Sequence, residues 1–137
     1  MSNAFEVTYT WRGAITDGEM AELVESHGGD PVAGWWERIR GHSLGWVTAR
    51  SDEQLVGFVN VAWDGCDHAF LLDTKTRGDH QRRGIAKNVV AVAAEQAEAA
   101  GCEWLHVDFR PEHRPFYFDA CGFVPTDAGL IHLPSLE

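Results

Sequence analysis

The residues best suited to chemistry cluster at 75–87, which read Lys-Thr-Arg-Gly-Asp-His-Gln-Arg-Arg-Gly-Ile-Ala-Lys. This segment holds five of the chain's eleven lysine and arginine residues, although the formal net charge is -10. A strand-like apolar run at 69–72 precedes it and a long helical pattern at 85–100 follows. A cationic, glycine-punctuated loop between a strand and a helix start suits a phosphate-rich ligand. First-turn N–H groups have no intrahelical partner there, and the helix dipole adds positive potential. Gly84 lets such a ligand approach the backbone closely.

The elements that must hold this loop follow from periodicity and turn residues. Residues 5–12 alternate as an opening strand, and 17–27 read as a helix capped by Thr16 or Asp17, with Met20, Leu23 and Val24 on one face. Gly28-Gly29-Asp30-Pro31 ends it, and a short helix at 32–40 carries Trp35, Trp36 and Ile39. Strands are predicted at 44–50, 55–63 and 68–76, separated by turns at 51–54 and at Asp64-Gly65. The helix from Ile85 repeats Val89, Val92, Ala93, Gln96 and Ala100 at helical spacing before Gly101 stops it. A strand at 104–109, a short helix at 114–120, and a closing strand pair at 123–124 and 130–133 complete the chain. The order βααβββαβαββ implies one domain over residues 1–137, a mixed sheet with helices on its faces.

Composition narrows the function. At 137 residues with 45% apolar content, one domain buries roughly two-thirds of its unfolded surface without disulfides or metals. No run of about 18 apolar residues predicts a membrane span, and no charged-then-apolar leader is visible. Cys66, Cys102 and Cys121 are widely spaced without Cys-x-x-Cys pairing, which points to reduced thiols and a cytoplasmic location. The acidic balance argues against nucleic acid, whose phosphates demand a basic surface. Acidic residues in the N-terminal half are compatible with a cationic partner and equally with a solvated surface. Four of the six tryptophans, Trp35, Trp36, Trp46 and Trp63, are expected mostly in the core. Together with exposed strand edges, the tryptophans are also compatible with a homodimer.

With that order in place, Gln81-Arg82-Arg83-Gly84-Ile85-Ala86 resembles the Q/R-x-x-G-x-G/A signature of the GNAT superfamily of N-acetyltransferases. Cys121-Gly122-Phe123, after a strand and an aromatic-rich helix, resembles that family's Y-x-x-x-G-F segment. The resemblance spans nearly the whole chain. It implies an α/β (α+β) fold with a mostly antiparallel sheet of six or seven strands and about four helices. It implies acetyl-CoA as co-substrate, with backbone N–H groups of Gln81, Arg82, Arg83, Gly84, Ile85 and Ala86 on the pyrophosphate. Arg82, Arg83 and Lys87 would add charge. Thr74 and Thr76 would offer backbone groups to the pantetheine arm and acetyl carbonyl, where two strands diverge. The first two helices of such folds commonly wall the acceptor pocket, which places Trp35 or Trp36 there.

The chain departs from the family pattern in three places. Gly78 stands where a proline is common, which predicts a more flexible loop. Counted from Gly122, the tyrosine that often protonates the leaving thiolate falls on Phe118, with Tyr117 one residue earlier and about 100° away on a helix. Arg110-Pro111-Glu112-His113 replaces the region that often supplies an asparagine.

Making an amide from a thioester requires a neutral amine, donors for the developing oxyanion, and a proton for the departing thiolate. Direct attack needs no enzyme nucleophile. Asp73, on the strand into the loop, is the first candidate to orient or deprotonate the amine; otherwise it pins Lys75 or a neighbouring loop. Asp108, near the end of the opposite strand, is the second, with a strand-end cap or an Arg110 partner as the plain alternative. Tyr117 is the candidate acid, against a packing aromatic by default. His106 reads as structural, His80 as a shaper of the loop, and Cys121 as packing.

The acceptor is expected to be a small-molecule amine or a protein amino group. A GNAT-like module that binds acyl-CoA without turnover is the competing reading, supported by Phe118 alone. A phosphate-loop transferase is excluded: five residues separate Gly78 from Gly84, and Ile85 stands where Lys is required. The seven histidines show no metal-ligand spacing, so no metal is expected.

Overall fold

The computed structural model describes residues 6–136. One five-stranded sheet runs in the order β1 (Thr8–Trp11), β2 (Ser43–Ser51), β3 (Gln54–Trp63), β4 (His68–Thr76) and β5 (Trp104–His106). The first four strands pair antiparallel; β5 lies parallel to β4. Phe5, at the start of the predicted opening strand, lies outside the described residues. Three α-helices, α1 (Asp17–Ser26), α2 (Trp35–Ile39) and α3 (Ile85–Ala99), are joined by a π-helical turn at Pro115–Ala120.

Local chemistry explains the first half. Thr16 caps α1 through a capping box: its hydroxyl accepts from the Glu19 N–H at 3.1 Å, and the Glu19 carboxylate accepts from the Thr16 N–H at 3.1 Å. The β2–β3 turn places Asp52 and Glu53 at φ 49° and 68°, the geometry of a tight hairpin that follows the sheet's twist. At the β3–β4 turn, Asp64 Oδ1 accepts from the Cys66 N–H at 2.7 Å and the His68 N–H at 3.2 Å.

The sheet separates two cores. On one face α3 buries Ile85, Val89, Val90, Ala93 and Ala97 against Val47, Val59, Val61 and Leu71. This face is rotated from the predicted one, since Val92 and Gln96 are only half-buried and Ala100 is exposed. Each fully buried Ile or Val contributes about 1.5–3 kcal/mol, so α3 is held mainly by this face. On the other face, Met20 and Leu23 of α1 and Trp36 of α2 pack on Leu55 and Phe58. Trp36 is fully buried between Trp46 and Phe58, with edge-on ring centroids at 4.8 and 5.1 Å. Trp63 is 36% exposed at the end of β3 and is not a core residue as its type predicts.

The expected six or seven strands are reduced to five among the described residues, because the predicted closing pair does not form. Pro125 follows a two-residue apolar run, and β5 is only three residues long, so neither a strand nor a template is available. Val124, Leu130, Ile131 and Leu133 stay exposed, and the chain ends in a 3-10 turn at Leu133–Leu136. The strand expected over 104–109 stops at His106.

Candidate active site

β4 carries a bulge. Lys75 opposes Phe58 and Leu72 opposes Asn60, so Asp73 and Thr74 together face Val59. Asp73 absorbs the irregularity at φ 60°, a left-handed conformation that aspartate tolerates better than most residues. Pairing between β4 and β5 ends at Phe70 and His106, ahead of the bulge. Beyond that point β5 gives way to irregular chain, and a wedge opens between the two segments. The bulge lies in the stretch of β4 that β5 no longer pairs.

A cavity of about 180 Å³ opens against the bulge. Asp73 and Lys75 of β4, Trp35 and Trp36 of α2, Met20 of α1 and Val32 of the connecting loop line it. Asp17 and Asp30 add two further carboxylates at the wall. Both tryptophans placed near the acceptor by resemblance thus reach this wall. The Lys75 ammonium lies over the Trp35 ring at 5.2 Å from its centroid. Asp73 opens to solvent on one side, yet the surrounding protein excludes enough water to raise its carboxyl above the usual range, opposed by Lys75. Desolvation likewise lowers the Lys75 ammonium, opposed by Asp73. Each group is thereby eased toward its neutral form.

Tyr117 approaches β4 from the α3-side core. It is 8% exposed, stacks on Phe109 at 4.6 Å, and brings its hydroxyl to 3.5 Å from Thr74 Oγ1. That contact is long for an O–H···O bond, so the phenol proton is weakly engaged. Burial raises the Tyr117 hydroxyl, partly offset by Thr74, and it stays protonated through neutral pH. Its inward direction corrects the expectation drawn from an α-helix. Residues 115–120 form a π turn in which the Cys121 N–H donates to the Phe116 carbonyl at 3.0 Å. The Phe123 N–H, past Gly122 at φ 80°, donates to Tyr117; an α-helical ending would set that bond on Phe118. The wider turn absorbs one residue and brings Tyr117 to the wedge, while Phe118 packs edge-on against Phe109 at 5.2 Å.

The basic segment divides into three. Lys75 points its charge into the cavity, and Arg77 is bound to Glu22 at 3.2 Å and Asp79 at 3.0 Å. Arg82, Arg83 and Lys87 lie at the start of α3, all exposed. Gly84, at φ 78°, precedes α3 with no side-chain cap, which leaves the N–H groups of the first turn for a ligand. Arg82 is held at φ 66°, at a backbone cost of about 1–2 kcal/mol. An uncapped helix start, three cations and an open wedge fit the phosphates and arm of an acyl-CoA.

Gly78 does not loosen the loop. A Cβ there would meet the Ser26 carbonyl oxygen at 2.1 Å, and the Gly78 N–H donates to Ser26 Oγ at 3.1 Å. The glycine lets the loop dock tightly on the end of α1. His80 bonds Asp79 at 2.7 Å, in keeping with a shaping role. Thr76 pairs with Gly57 on the β3 side. Asp108 is exposed in the irregular chain after β5, near enough to Tyr117 to add to its raised pKa. His106 sets Nε2 2.8 Å from His68 Nδ1 and stacks on Phe70, at the paired end of the wedge. Burial raises the Cys121 thiol, opposed by Lys87, which disfavours a thiolate.

Asp17, Asp30 and Thr74 as a partner for Tyr117 were not legible as site residues. Nothing in their spacing brings three elements to one cavity.

A model of the acetyltransferase (GNAT) family matches residues 10–123. None of the curated proteins matches the chain. Among solved structures, a GNAT-family acetyltransferase from Streptococcus pneumoniae TIGR4 superposes with a TM-score of 0.77 at 18% identity, over 92% of this chain and 96% of that one. Glucosamine-6-phosphate N-acetyltransferase from Arabidopsis thaliana gives 0.68 at 17%, over 90% and 97%. AAC(6')-Iy, in complex with the bisubstrate analogue CoA-S-monomethyl-acetylneamine, gives 0.73 at 19%, over 93% and 97%. At 17–19% identity these likenesses show a shared fold, and function is set by the site. With its family model covering most of the sequence, this chain belongs to the GNAT family of acetyltransferases.

Proposed function

We propose that the protein is an acetyl-CoA-dependent N-acetyltransferase that moves the acetyl group to a primary amine by direct attack in a ternary complex. The observation that carries this reading is the arrangement around the β4 bulge. The Asp73 carboxylate lines a cavity beside the bulge, and from the α3 side a buried phenol meets Thr74, the next residue of the same strand. When bound, acetyl-CoA supplies an activated acyl thioester.

The first turn of α3, with Arg82, Arg83 and Lys87, binds the phosphates; the wedge edge of β4 at Thr74 and Thr76 offers backbone groups to the arm. Asp73 orients the acceptor ammonium and takes its first proton, a role favoured by a carboxyl pKa raised toward the working pH. Tyr117 holds a proton at its hydroxyl for the leaving sulfur. Asp108 is the weaker candidate for the amine, because it lies exposed outside the cavity. The reading of a silent acyl-CoA module rested on Phe118; a Tyr117 hydroxyl beside Thr74 favours the enzyme instead.

Calorimetric titration with acetyl-CoA, using ATP as control ligand, tests the reading. Binding of acetyl-CoA without binding of ATP is expected. Failure to bind acetyl-CoA would overturn it.

A further inference from the structure

Resting on that reading, we propose that Lys75 is itself an acetyl acceptor, so that the enzyme modifies the wall of its own cavity when no other amine occupies it. The chain contains two lysines, Lys75 and Lys87. Lys87 is exposed on α3, whereas Lys75 is half-buried and lines the cavity beside Asp73, its ammonium resting on the Trp35 ring at 5.2 Å. Residue 75 directly follows Thr74, whose hydroxyl meets Tyr117 at 3.5 Å. An amine and a carboxylate thus share one cavity wall, and the residue between them in the strand is the one that Tyr117 meets. The carboxylates that line the cavity with Lys75 are Asp73 on its own strand, Asp17 on α1 and Asp30 on the connecting loop.

The step balances without a further reactant. The Lys75 ammonium loses one proton to Asp73 or water, and its nitrogen forms the C–N bond to the acetyl carbon. The C–S bond breaks with its electron pair on the CoA sulfur. The second nitrogen proton leaves as Tyr117 protonates that sulfur and is reprotonated from solvent. The product amide has no charge, so the contact with Trp35 loses its cation. The cavity then keeps Asp17, Asp30 and Asp73 without a basic partner, which favours a cationic acceptor.

Purified full-length protein incubated with isotopically labelled acetyl-CoA, followed by peptide mass analysis and a parallel calorimetric titration, tests this. Label at Lys75 should exceed label at Lys87 by at least about tenfold, because placement outweighs exposure. The labelled fraction per unit time should not change on dilution of the protein. Asp73→Asn should lower label at Lys75 and leave Lys87 unaffected, and Lys75→Arg should remove the labelled peptide. Equal label on both lysines, or label proportional to protein concentration, overturns self-modification. Acetyl-CoA binding without label at Lys75 also overturns it and leaves the reading of the site standing. Neither binding nor label overturns the reading of the site and the proposal with it.

Discussion

At the start of α3, the groups offered to a ligand are backbone N–H groups and cations from one continuous segment. In the cavity beside β4 they are side chains from α1, α2, their connecting loop and β4. The first arrangement depends on a helix beginning after Gly84 without a cap, which is a local property. The second exists only once the sheet has bulged and two helices have docked on it. A family can therefore keep the first while varying the second, which suits a fold whose members accept different amines. For this chain, the α3 end should govern affinity for acetyl-CoA and the cavity should govern turnover.

If the cavity carries proton transfer, Asp73→Asn should have the largest effect, lowering kcat by about 10²–10⁴-fold with unchanged acetyl-CoA affinity in calorimetry. Its pH signature has a definite sign. Burial raises the Asp73 carboxyl, so the carboxylate is lost sooner as pH falls. The acid limb of kcat/KM should lie above the ordinary aspartate range near about 3.9, and the Asn variant should lack it. An equal loss of affinity would erase the proposed division of labour.

Tyr117→Phe should lower kcat by about 10²-fold while the ring keeps its stack on Phe109. Phe118→Tyr should leave kcat unaltered, since residue 118 packs against Phe109 instead of meeting Thr74. The reverse pattern would place the acid at the position counted from Gly122.

Arg82→Ala with Arg83→Ala should act on the other region. Losing charged contacts worth about 1.5–3 kcal/mol in total raises the acetyl-CoA Kd about 10–100-fold, with kcat at saturation preserved. Added salt should weaken binding by the wild type more than by the variant.

The smallest effect concerns the joint between the regions. In Gly78→Ala, the new Cβ meets the Ser26 backbone oxygen, and the loop must shift at a cost of about 1–3 kcal/mol. Thermal unfolding should show the loss, with a modest change in acetyl-CoA affinity.

The same contrast explains what the residues disclosed. The helix from Ile85, a cap at Thr16 or Asp17 and the turn at 51–54 are set by neighbours in the chain, and they were legible. The basic loop was visible as a charge cluster, but its division was not: Lys75 and Arg77 find partners across the fold. The bulge at Asp73 left no mark, because an Asp in an apolar strand reads alike with or without an extra residue. The shortened β5 and the wedge beside it were equally hidden. The direction of Tyr117 was hidden for a related reason, since the count from Gly122 to Phe118 assumes 3.6 residues per turn and the chain adopts a wider one.

The most direct measurement is release of CoA thiol from acetyl-CoA against a panel of primary amines, comparing wild type with Asp73→Asn under saturating acetyl-CoA. Amine-dependent release by the wild type, reduced at least about 10²-fold in the variant, is the predicted result. Acetyl-CoA binding with no amine-stimulated release, or equal release by both proteins, would contradict an acetyl transfer centred on Asp73.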